Sequence, residues 1–106
     1  IAVNSLLNAN WLEYDFGDVY SGEIKECQLL LTNKTNTVLQ IKSLTSSCSC
    51  LKILKDDDII PPSKTISLRI RLQAPKHRQA EVKQYIVLIV DGKDNPILFS
   101  ITASIV

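Results

Sequence analysis

The chain has 106 residues, 45% of them apolar, which suffices for one domain around one core and leaves no room for a second. Its 12 Lys and Arg nearly cancel its 11 Asp and Glu, so the basic field that drives nucleic-acid binding is missing and no nucleic-acid partner is expected. The longest apolar stretches, Tyr85 to Val90 and Ile97 to Phe99, fall far short of the ~20 residues that cross a bilayer as a helix, so the chain is not expected to span a membrane.

Residues 1–9 read as an N-terminal extension and 10–106 as a single domain. Apolar residues in the domain recur mainly at a period of two, the spacing of strands with one buried face. Leu12, Tyr14 and Phe16 alternate with Glu13 and Asp15 in a first strand, and the stretch from Gly17 to Gly22 supplies turn residues. Ile24 to Thr32 reads as a second strand, the polar run from Asn33 to Thr37 as a turn, and Val38 to Thr45 as a third strand. A hairpin that pairs Leu31 with Leu39 sets Leu29 opposite Ile41 and Cys27 opposite Ser43. One face of that hairpin is then mainly apolar, and the other carries Gln28, Gln40 and Lys42. A slip of one residue destroys the agreement, so the second and third strands are predicted to be hydrogen-bonded neighbours in this register.

After Pro61-Pro62, the residues Ile66, Leu68, Ile70 and Leu72 alternate with Ser67, Arg69, Arg71 and Gln73, so this strand is expected to have one wet face. Tyr85 to Val90 is apolar on both faces and rich in β-branched residues, which predicts a central strand. Asp91-Gly92 starts a turn, and Ile97, Phe99, Ile101, Ala103 and Ile105 then alternate to the C-terminus. With no helical stripe and short strands joined by turns, the expected fold is all-β, a sandwich of about seven antiparallel strands.

Several spaced blocks add a resemblance. Tyr14-Asp15-Phe16-Gly17-Asp18-Val19, Gly22-Glu23, Thr32-Asn33 and Ser47-Cys48-Ser49-Cys50 are placed as in a bacterial family of unknown function, domain of unknown function 1573. That family has an aromatic-Asp-Phe-Gly-x-Val opening, then Gly-Glu, Thr-Asn and Ser-Cys-Gly-Cys blocks. Ile60-Pro61-Pro62 through Leu72 is similar to its later Pro-Gly segment and strand, so the resemblance covers about residues 10–106. It implies an immunoglobulin-like β-sandwich, more distantly similar to the domains of major sperm protein, cilia-associated proteins and pilus chaperones. By analogy with those binding and scaffolding domains it implies a non-catalytic module, and because members of the family look like exported bacterial proteins, often lipoproteins, it implies a place in the periplasm or at the cell surface. This chain departs from the family where Thr35 and Val38 replace a Gly and a Pro, and where Ser49 and Ser63 each replace a Gly, so turn geometry at those positions is open.

Catalytic groups are scarce. The one His, His77, has no Ser and acid placed with it for a hydrolytic triad, and no Gly-rich phosphate loop is present. Cys27, Cys48 and Cys50 form an odd set, so at least one stays free or pairs outside the chain. Two thiols one residue apart, as at Cys48 and Cys50, can grip copper or zinc, close a small disulfide that shapes a loop crossing between sheets, or serve thiol redox chemistry. Zinc takes about four ligands and no second paired-cysteine motif completes the set, which favours the structural pair over the metal. In the hairpin register Cys27 lies ~16 Å from Cys48, beyond disulfide reach, and reads as a small buried hydrophobe. Asp56-Asp57-Asp58 lacks the Gly and distal Glu of a Ca²⁺ loop and reads as a solvated loop guarding a sheet edge. Lys76-His77-Arg78 reads as an exposed polar loop. Trp11, the single Trp, falls on the opposite face from Leu12 and Tyr14, where it either anchors a partner or covers the end of the sandwich.

These readings predict a protein-binding or scaffolding module with no cofactor, whose partner is another protein and whose strand edges are open to β-augmentation. The alternative is a copper- or zinc-binding or thiol-redox protein built on Cys48 and Cys50. As such a module it is expected to be one subunit of a larger envelope assembly, and the start at Ile1 without a Met is compatible with a signal peptide or lipid anchor upstream.

Overall fold

The alternation resolves into two packed sheets. A computed structural model describes residues 2–55, 57–74, 80–92 and 95–106. Nine strands form among them: β1 (Leu7–Ala9), β2 (Glu13–Val19), β3 (Ile24–Asn33), β4 (Leu39–Ser46), β5 (Leu51–Lys55), β6 (Ile59–Ile60), β7 (Thr65–Gln73), β8 (Ala80–Val90) and β9 (Ile97–Ile105). One sheet has the order β1-β3-β7-β5 and the other β2-β9-β8-β4-β6. No helix occurs among the described residues, and the all-β sandwich expected from the sequence is what forms.

Each strand turns its apolar set inward. Leu29, Leu31, Leu68, Ile70 and Leu72 of the four-stranded sheet and Ile86, Leu88, Phe99 and Ile101 of the five-stranded sheet have no exposed surface. Each such side chain contributes about 1.5–3 kcal/mol by leaving water. β8 lies between β9 and β4, so the two-sided apolar run at Tyr85 to Val90 does mark an interior strand.

The predicted pairing of β3 with β4 is wrong, although its face assignment is right. Leu29, Leu31, Leu39 and Ile41 are buried while Gln28, Gln40 and Lys42 are exposed. Yet β3 pairs with β1 and β7, and β4 pairs with β8 and β6, so the two strands stand in opposite sheets across the core. Alternation registers only which face of each strand is apolar, and both arrangements satisfy it. Asn33 makes the difference. Its side-chain amide is 1% exposed and donates to the carbonyls of Thr37 (2.8 Å) and Ile60 (2.9 Å), while its Oδ1 accepts from the Thr35 amide (2.8 Å). The connection therefore arches from one sheet to the other instead of folding back as a hairpin.

Three strands beyond the predicted set appear, β1, β5 and β6, each only two to five residues long and too short to show alternation. β1 corrects the reading of residues 1–9 as an extension. Leu7–Ala9 pairs antiparallel with β3 and buries Leu7 and Ala9 in the core. β2 then joins the other sheet beside β9, and this pair is parallel while every other named pair is antiparallel.

Two turn positions explain parts of the sequence pattern. Gly17 has a φ of +70° inside β2, where the register with β9 shifts between Asp15 and Asp18, and its amide donates to Asp15 Oδ1 at 2.8 Å. Such a bulge needs a residue that adopts positive φ at little cost. Ser63, where the family has Gly, nevertheless keeps a left-handed φ of 59°, a conformation that costs a side-chain-bearing residue about 1 kcal/mol.

Candidate functional site

The Cys48-Ser49-Cys50 segment is the corner at which the chain leaves β4 in one sheet and enters β5 in the other. Cys48 and Cys50 are joined in a disulfide with Cα atoms 5.3 Å apart, and both are half-buried. Hydrogen bonds from β4 and β7 also tie the corner down. Ser46 Oγ donates to the Cys48 carbonyl at 2.8 Å, and the Gln73 amide donates to the Cys50 carbonyl at 2.9 Å. The Cys50 amide donates to Cys48 Sγ at 3.2 Å. A disulfide offers no thiolate to a metal, and among the described residues no group of three or more His, Cys, Asp and Glu is arranged to hold one.

Because the closed loop spans a sequence separation of only two, the bond removes little freedom from the unfolded chain. Replacing both cysteines with Ser is expected to leave the sandwich folded and to cost at most about 2 kcal/mol. Urea unfolding of the double variant checks this, and loss of all folded signal would make the bond a main stabiliser.

Cys27 is the one free cysteine, buried at 7% exposure. Burial first, and the neighbouring Glu26 carboxylate second, push its thiol up to about 12. It flanks Ile70 of β7 on the side opposite Ile53 of β5, so the small-hydrophobe reading holds although the register behind the 16 Å separation does not. Trp11 is also buried, at 8%. It sits where the chain passes from β1 to β2, with its Nε1 donating to the Gln28 carbonyl of β3 (2.8 Å) and its ring edge-on to Phe99 of β9 (5.9 Å). The indole ties the two sheets together, which corrects its reading as a partner anchor and leaves that of a cover over the core.

Asp57 and Asp58 are exposed in the turn before β6, where Asp57 Oδ1 accepts from the Ile59 amide at 3.1 Å and Asp58 pairs with Lys55. Asp56 lies outside the described residues, as do Lys76, His77 and Arg78.

The surface feature that sequence reasoning missed is the outer face of the five-stranded sheet. Tyr85, Val87 and Ile89 alternate outward along β8, and Leu98 of β9 stands directly across from Val87. Leu98 is 57% exposed and Tyr85 41%. Two shallow depressions of about 400 Å³ and 260 Å³ adjoin there, sharing Leu12 and Leu98 and bordered by Val3, Pro96 and Tyr85. The two-sided apolarity of Tyr85 to Val90 carried the signal, but it reads equally as an interior position. What this face offers chemically is apolar contact area bordered by polar groups, Asn4, Asn95, Glu13 and Ser100, with the Lys83 ammonium 6.0 Å from the Tyr85 ring centroid.

The blocks that resemble a known family prove to mark bends and sheet crossings: the Gly17 bulge, the Asn33 arch and the cysteine corner. The sequence pattern of the family described as "Protein of unknown function (DUF1573)" matches residues 7–105, and the chain belongs to that family. No curated protein sequence matches it closely enough to count as a relative. Among solved structures it is similar to a protein of unknown function from Porphyromonas gingivalis W83, with 18% identity and a TM-score of 0.78 over 93% of this chain and 46% of that one. The chain thus spans about half the length of that protein. It is also similar to a PapD-like domain of human CEP192, with 9% identity and a TM-score of 0.74 over 100% of this chain and 89% of that one. The CupB2 chaperone of Pseudomonas aeruginosa is similar at 16% identity and a TM-score of 0.62, over 91% of this chain and 54% of that one. At these identities the likenesses establish the immunoglobulin-like sandwich and nothing finer.

Proposed function

We propose that this member of the DUF1573 family is a non-catalytic module that binds or scaffolds another protein in the periplasm or at the cell surface. The observation that carries this reading is the apolar outer face around Leu12, Tyr85 and Leu98. Contiguous apolar surface is held back from water in most monomeric proteins, and where it is exposed it marks contact with another macromolecule. The depressions there are shallow and merge across one face, which suits a protein surface better than the enclosed pocket a small substrate needs. A chaperone of the same fold is consistent with a binding role. The Cys48–Cys50 disulfide supports export, because oxidising compartments sustain such bonds and the cytosol reduces them.

Leu98→Asp tests the reading. A charge placed in the middle of this face is expected to abolish capture of whichever chain co-purifies with the wild type from native envelopes. Because Leu98 points away from the core, the unfolding midpoint should stay within about 0.5 kcal/mol of wild type. If the same chain co-purifies equally with Leu98→Asp, the outer face is not the binding surface.

A further inference from the structure

We propose that the Cys48–Cys50 bond is a site of thiol–disulfide exchange, attacked at Cys50 by a thiolate of an external dithiol while the domain stays folded. This does not depend on the apolar face. Three observations point the same way. Both sulfur-bearing residues are half-buried at a corner between the sheets, whereas Cys27 is sealed in the core. The corner is also held by hydrogen bonds that do not use the sulfurs, from Ser46 Oγ and the Leu51 amide (3.4 Å) to the Cys48 carbonyl and from the Gln73 amide to the Cys50 carbonyl. Finally, Cys50 opens into a depression of about 100 Å³ that it shares with Ser49, Lys52, Arg71 and Gln73.

The charges around that depression select the direction of attack. Arg71 spends two guanidinium nitrogens on Glu26 Oε2, at 3.1 Å and 3.0 Å. Lys52, opposite Arg71 in the β5–β7 ladder, has no carboxylate within ion-pair distance among the described residues. Its ammonium is therefore the free positive charge beside Cys50, and it attracts an incoming thiolate. Cys48 is the better leaving group, because the Cys50 amide already points at Cys48 Sγ and stabilises negative charge there.

In the exchange, the thiolate of the dithiol forms a bond to Cys50 Sγ as the Cys48–Cys50 bond breaks, and the electron pair leaves on Cys48 Sγ. The second thiol of the reagent loses its proton to water and attacks the reagent sulfur of the mixed disulfide, releasing Cys50 as a thiolate. Both cysteines then take protons from water. The domain has gained two electrons, and the reagent has become a disulfide.

The test uses the whole chain in its oxidised form, treated with dithiothreitol and quenched with a maleimide, with mass spectrometry to locate the label. Two labels are expected, on Cys48 and Cys50, with Cys27 unlabelled and the circular dichroism unchanged. Lys52→Glu is expected to slow the reduction roughly tenfold, since it replaces attraction of the thiolate by repulsion. Lys25→Glu, at a lysine paired with Glu23 on another strand, should change the rate less than twofold. Reduction that proceeds only at the rate of global unfolding, with Cys27 labelled alongside, would overturn the proposal. So would a Lys52→Glu rate equal to wild type, or a chain that cannot be obtained with the bond formed.

Discussion

Replacing Phe99 with Ala is expected to destabilise the domain by about 3–5 kcal/mol, a large part of the ~5–15 kcal/mol that holds a domain of this size together. Phe99 has no exposed surface, lies opposite Ile86 in the β8–β9 ladder and receives the edge contact of Trp11. Its removal leaves a cavity that β-sheets pinned by ladders on both sides cannot collapse to fill. The neighbouring Leu98→Ala provides the control. That side chain is 57% exposed on the opposite face, so its loss should stay within about 0.5 kcal/mol. Urea unfolding followed by the single Trp reads both variants, and the Phe99→Ala native state should also show altered Trp11 emission. A larger loss for Leu98→Ala than for Phe99→Ala would mean that the faces of β9 are assigned the wrong way round.

The second large effect is expected at Asn33, a polar residue whose removal should cost more than that of most surface hydrophobes. Asn33→Ala deletes both donors and leaves the Ile60 carbonyl, in a fully buried residue, without the Asn33 amide, while the exposed Thr37 carbonyl keeps Thr35 Oγ1 at 3.0 Å. A buried unpaired carbonyl costs about 1–3 kcal/mol, so a loss of that size is expected. Asn33→Asp sharpens the test. At neutral pH it presents a carboxylate where the amide donated to two carbonyls, and only the protonated acid restores a donor. The introduced carboxyl should therefore have a native pKa above its unfolded value of about 3.9. With the native state holding the proton after the unfolded state has lost it, the variant loses stability as pH rises through that window. The gap between Asn33→Asp and wild type in thermal unfolding should thus be smaller at pH 4 than at pH 7. A gap that widens on acidification would remove Asn33 from its assigned place in the arch.

The cysteine corner shows how far residue chemistry alone can go. Three cysteines with one His left disulfide, metal and redox readings open, because spacing says which atoms can meet but not which way they point. In the folded chain the pair closes on itself where β4 gives way to β5, and the free Cys27 is buried against β7. Lys52, two residues on from Cys50, faces Arg71 only because β5 and β7 are paired. Trp11 shows the same limit, since alternation put its ring on an outer face while the change of sheet between β1 and β2 turns it inward onto Phe99.

The class of fold, the inward set of β3, β4, β7 and β9, and the interior place of β8 are legible in the order of residues alone. Side-chain alternation at a period of two is a local property of extended backbone, so it survives whatever the neighbours are. Which strands are partners emerges from long-range packing instead. β3 and β4 satisfy the same pattern as a hairpin or as an arch across the core, and the buried amide of Asn33, bonded to Ile60 far along the chain, selects the arch. The exposure of Leu98 and Tyr85 was likewise settled by packing. An outward apolar residue looks the same in sequence whether a further layer covers it or water does, and here no strand among the described residues lies over that face.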